Sequence, residues 1–132
     1  MLPLSLFGPA VAVVSVFVGT GSARADRLLW LPAVLVSAWV IARFVGQSRF
    51  GNGAVVGFIA GASAKLIQGL FAAVYWEHNP WLAEAFADKG LDFDFRRYTL
   101  NLVPYVGVAN ALIQGFLTFI AGRIFKPAGG DE

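Results

Sequence analysis

One lysine and three carboxamides stand well inside otherwise apolar stretches of this chain, away from their ends: Lys65, Gln68, Asn110 and Gln114. An ammonium with amide neighbours could line a hydrated cavity for an anion or a polar solute, or carry a proton path. The competing use is structural. The lysine stem reaches a boundary or a carboxylate on another subunit, and the amides join helices at about 1 kcal/mol each. A lysine at mid-membrane costs about 2.5 to 3.5 kcal/mol on insertion scales, which the surrounding apolar residues absorb. No carboxylate falls inside the apolar runs, which weighs against a cation or proton carrier. The structural use is the favoured one.

Glu77, His78, Asp92 and Asp94 form a second cluster. A single imidazole at this spacing matches no metal signature. Solvated loop acids and a helix cap account for the same residues. His78 is the only histidine and there is no cysteine, so no nucleophile–base pair is visible. No glycine-rich loop follows a strand to cradle phosphate. The expectation is no catalytic residue, no metal and no cofactor.

The elements that must hold these residues are membrane helices. The chain has 132 residues, of which 58% are hydrophobic and only 14% charged. Soluble domains are about a quarter charged, so the reading is an all-α integral membrane protein, one domain over residues 1–132. A net charge of +2, scattered along the chain, gives no nucleic-acid footprint. Four apolar runs predict four spans, at about residues 2–20, 28–44, 53–76 and 98–122. The first run is read as a retained span rather than a cleaved leader. Ala23-Arg-Ala25 resembles a cleavage site, but no basic residue precedes the run.

Between the spans, Arg24, Asp26 and Arg27 read as a polar turn, and Pro32 fits the first turn of the second span. Gly46 to Asn52 reads as a loop ending in Asn52-Gly53. In the last loop, Asn79-Pro80 predicts a cap followed by a helix, and Gly90 predicts its stop. Trp81, Leu82, Ala85 and Phe86 share a face, so residues 80–89 read as a short amphipathic helix on the membrane surface. Leu91, Phe93 and Phe95 alternate with Asp92 and Asp94, an extended pattern in which Asp94 can cap the last helix. Pro104 should kink that helix or loosen its first turns.

Gly53, Gly57 and Gly61 recur every four residues, with Lys65 and Gly69 in the next two slots. This ridge lets another helix approach closely. Gly107, Ala111 and Gly115 make a matching stripe on the last span. The segments Gly61 to Gly69 and Gly107 to Gly115 align without gaps, sharing Gly, Leu, Ile, Gln and Gly, either as an inverted repeat or by chance among residues common in membrane helices. The two stripes could form a dimerisation face, but the favoured expectation is that they pack on each other within one chain. In antiparallel helices Gln68 and Gln114 then sit roughly 10 Å apart along the normal. Lys65 with Asn110 is the expected polar contact.

The order of Leu31-Pro-Ala-Val-Leu-Val, Asn52-Gly53, Gly57-Phe-Ile-Ala-Gly61, Asn79-Pro80 and the basic end at Arg123 and Lys126 resembles a family of small four-span bacterial membrane proteins of unknown function. The resemblance implies a multi-pass protein of the bacterial inner membrane and no catalytic residue. Acids and aromatics in the long loop read as external, which puts both termini in the cytoplasm. The expected role is non-enzymatic: an accessory or scaffold subunit, or a homo-oligomer, with the lipid bilayer and a membrane-complex partner as its contacts. The alternative is a small oligomeric transporter or channel using Lys65 at the midplane.

Overall fold

The structure, a computed structural model, describes residues 2–45, 48–90 and 93–124. Gly46, Leu91, Asp92 and Lys126, named in the sequence reading, lie outside the described residues. A 3-10 turn over Leu2–Leu6 leads into helix α1, Phe7–Phe17. Pro9 is the third residue of α1, where an N–H has no intrahelical partner to lose. Gly19 closes the segment: at φ +88° it takes the left-handed conformation, and its N–H reaches Val14 O at 3.1 Å.

Helix α2 covers Ala23–Phe44 and helix α3 covers Arg49–Leu70. The short helices α4, Ala72–His78, α5, Trp81–Ala85, and α6, Phe95–Asn101, follow. Helix α7, Val103–Ile124, closes the described chain. The fold is all-helical among the described residues. Helices α2, α3 and α7 are each long and apolar enough to cross a membrane, whereas α1 belongs to a shorter apolar helix.

Several boundaries differ from the sequence expectation, each for a local reason. The polar turn Arg24 to Arg27 is helical. Ser22 Oγ accepts from Ala25 N at 3.1 Å, starting α2 early, and Asp26 in the first turn suits the helix dipole. Pro32 therefore lies in the helix interior, where it has no N–H to give Leu28 O. Of the expected loop, Arg49 to Asn52 are helical. Ser48, at φ +52°, turns the chain, and Asn52-Gly53 continue α3. The span expected over residues 53–76 breaks at Phe71, whose backbone leaves the helical region at φ −105° and ψ 35°. The last span breaks at Leu102, and Pro104 falls in the first turn of α7, where it is tolerated. Asp94 caps α6, its Oδ1 accepting from Arg97 N at 3.1 Å.

The region expected as one surface helix over 80–89 is α5 plus a separate turn at Ala87–Lys89, ended by Gly90 at φ +84°. Leu82 is buried with Val16 and Tyr75, and Trp81 and Phe86 pack on that cluster, whereas Ala85 is exposed. These apolar residues meet protein as well as any boundary.

The core is assembled around α3. Its glycines let α7 approach antiparallel. A side chain at Gly53 would meet Thr118 Oγ1 and Gln114 O, and one at Gly57 or Gly61 would meet Asn110. Gly69 faces Leu100, and on the other side Gly107 faces Phe58 and Ala62 while Gly115 faces Phe50. Helix α1 runs parallel to α3, with Gly8 against the Ala60 backbone and Gln68 Nε2 donating to Ser15 Oγ at 3.2 Å. Helix α2 lies along α7, where Gln114 Nε2 donates to Val34 O at 3.2 Å. Large hydrophobics such as Val36, Ile113 and Phe116 point outward, while Ser15, Ser37, Gln68, Gln114 and Thr118 are buried. That distribution inverts the pattern of a water-soluble bundle and suits a lipid surround.

Candidate functional site

Helices α2 and α7 descend as α3 rises, so the start of α2 and the start of α7 meet the end of α3. At that meeting point Asp26, Arg27 and Trp30 of α2 face Lys65 and Gln68 of α3 and Asn110 of α7. With Gly61, Ala64 and Val106 they line a cavity of about 230 Å³. Lys65 and Asp26 are electrostatic partners here, and Arg27 also acts on Asp26. Thr20 Oγ1 lies 3.4 Å from Asp26 Oδ1.

This arrangement corrects three expectations. A carboxylate does stand in a span-length helix, because α2 begins before Asp26. Lys65 is not central: it sits five residues before Leu70, roughly 8 Å from the end of α3. Gln114, rather than Asn110, lies nearest the middle of α7. The expected Lys65–Asn110 contact is not made as a hydrogen bond among the described residues. Asn110 Nδ2 donates to Val106 O at 3.0 Å within its own helix, so the two side chains share only the cavity. A chain-local carbonyl four residues back is within reach of a helical asparagine, whereas Lys65 lies within electrostatic reach of Asp26 across the cavity.

Gln68 and Gln114 go to different partners. Gln68 ties α3 to α1 through Ser15, and Gln114 ties α7 to α2 through Val34. Gln114 Oε1 and Thr118 Oγ1 are buried without a hydrogen-bond partner among the described residues. Ala111 is half-buried beside the stripe of Gly107 and Gly115.

Behind the cavity lies a polar junction centred on Asn79, which is fully buried. Its Nδ2 donates to Ser15 O at 2.6 Å and to Tyr75 O at 2.8 Å. Its Oδ1 accepts from Thr20 N at 3.0 Å and from Trp81 Nε1 at 3.2 Å, with Thr20 Oγ1 also at 3.2 Å. The expected cap role is therefore replaced: the side chain fastens the end of α1 to α4 and α5, and α5 starts without a side-chain cap. Thr20 joins this junction to Asp26, so the cavity and the junction are one polar network. The Tyr75 phenol at its edge is pushed well above the usual tyrosine range, first by burial and then by the Asp26 charge. In the other cluster, His78 Nδ1–H donates to Val74 O at 2.9 Å and Asp94 is occupied as a cap.

Asp26, Arg27, Trp30 and Asn79 are the site residues that sequence reasoning missed. Ser22 followed by an acid and an apolar run is a helix-start signal that could have put Asp26 on α2. Nothing local signals that Asn79 bonds a residue 64 positions away. Comparison with protein-family models, with characterised proteins and with solved structures finds no match to this chain.

Proposed function

We propose that this chain is a small, non-enzymatic integral membrane protein that works by association, as an accessory or scaffold subunit or as a homo-oligomer. The observation that supports this best is the closed floor of the charged cavity. Directly below it, Gly57 and Gly53 bring α3 onto α7, and the Gln114–Val34 bond draws α7 to α2. One copy thus offers a recess near one end of the bundle, while below it α3 and α7 are in contact. The reading extends to four spans, with Leu2–Phe17 as the first, a surface role for Trp81–Lys89, and both termini in the cytoplasm of a bacterial cell. These finer points rest on the apolar run, the loop acids and the family resemblance.

The second reading, an oligomeric transporter, draws support from Lys65 facing Asp26 across a polar cavity. The two separate on Lys65→Met. For an associating protein, the complex extracted in mild detergent keeps its size in this variant, and vesicles carrying the wild type pass anions no faster than empty ones. Flux through wild-type vesicles that Lys65→Met abolishes would overturn the proposal.

A further inference from the structure

We infer that the seam between α2 and α7 binds one anionic phospholipid, with its phosphodiester in the charged cavity and an acyl chain in an apolar groove below. The inference rests on the membrane reading above and adds a ligand to it. The cavity holds two cations, Arg27 and Lys65, against one anion, Asp26. Asp26 already faces Lys65 and Thr20 Oγ1. The exposed Arg27 guanidinium has five N–H donors in a planar fork, and that geometry fits phosphate oxygens. Among the described residues the Asn110 amide gives one bond, to Val106 O, so it has a second N–H to offer.

The second observation is independent of charge. Farther along the same two helices, Leu35, Ala38 and Trp39 of α2 and Leu117, Ile120 and Ala121 of α7 enclose an almost wholly apolar groove of about 320 Å³. Because α2 and α7 run in the same direction, cavity and groove lie one after the other along one seam. Arg27 is eight residues from Leu35 and twelve from Trp39, roughly 12 to 18 Å along the axis. One leaflet of hydrocarbon is about 15 Å deep. A headgroup held at Arg27 therefore places its chain at the depth of the groove. A free phosphate would use the cavity and leave the groove unused. The net positive cavity favours phosphatidylglycerol, a monoanion, over zwitterionic phosphatidylcholine, whose ammonium would meet Arg27 and Lys65.

The test uses the full chain, delipidated in detergent, with lipid binding followed by native mass spectrometry. Phosphatidylglycerol should bind at least about tenfold more tightly than phosphatidylcholine, a ratio in line with one charge-assisted contact. Arg27→Gln should remove that preference. Arg24→Gln, an exposed cation on the same turn that does not line the cavity, should leave it intact. Ala121→Trp should fill the groove and weaken lipid binding. Equal effects of Arg27→Gln and Arg24→Gln would reduce the preference to general surface attraction and overturn the site. Inorganic phosphate displacing the lipid at matching concentrations would make it a solute site, and also overturn the inference. Insertion into pure phosphatidylcholine vesicles is measured first. A chain that stays in water fails the membrane reading, whereas one that inserts without lipid preference fails only the lipid site.

Discussion

Gly57→Leu is expected to push α3 away from α7 and to cost about 3 kcal/mol or more, the upper range for overpacking a close contact. A Cβ at Gly57 would collide with Asn110 O and come within 2.6 Å of Gln114 Cβ. The first of these is backbone in the middle of a helix and has no rotamer by which to yield. The alternative is displacement of α7, which would also break the Gln114–Val34 bond to α2. Gly51 supplies the control of opposite sign. It lies in the first turn of the same helix, is exposed, and a Cβ there meets nothing nearer than Ser48 Cβ at 3.9 Å. Gly51→Ala should therefore stabilise by about 0.4 to 1 kcal/mol, through loss of unfolded-state freedom. Unfolding in mixed detergent measures both. Equal stability of the two variants would show that α3 and α7 do not meet along the glycine ridge.

Asn79→Leu is expected to have the next largest effect, about 3 kcal/mol, and a local one. Leucine keeps the approximate volume but leaves Thr20 N, Trp81 Nε1 and Ser15 O without their side-chain partner. Each buried polar group so stranded costs about 1 to 3 kcal/mol. Some of that cost is relieved if the end of α1 pulls away and takes up water. Hydrogen exchange should accordingly rise over residues 12–20 and stay unchanged in α7. Faster exchange throughout the chain, or none anywhere, would contradict Asn79 as the fastener of α1.

The parts of the molecule that could be read from sequence are those set by local pattern. Long apolar runs mark α3 and α7. The four-residue spacing of Gly53, Gly57 and Gly61 marks a face for close approach, and α7 does sit on it. Asp94 is recognisable as a cap from its place before a helical run. What could not be read depends on contacts distant in sequence. Arg24, Asp26 and Arg27 look like a turn because they are charged. Yet an acid suits the first turn of a helix, and arginines there extend to the boundary. Misplacing them hid the carboxylate opposite Lys65. Gly53 after Asn52 looks like turn chemistry, but the missing Cβ serves the approach of Thr118. Asn79 before proline looks like a cap. Its carboxamide goes instead to Ser15 and Thr20, partners that only the folding of α1 against α4 brings near.

Lys65 is electrostatically partnered by Asp26 across an open polar recess, rather than by the Asn110 amide. A double-mutant cycle on stability with Asp26→Asn and Lys65→Met tests it most directly. Asp26→Asn alone strands the ammonium and should destabilise by about 1 to 3 kcal/mol. Lys65→Met alone should cost little, because Asp26 keeps Thr20 and Arg27. The double variant should resemble Lys65→Met, giving a coupling energy of about 1 kcal/mol or more. Additive effects, within about 0.3 kcal/mol, would contradict the pairing.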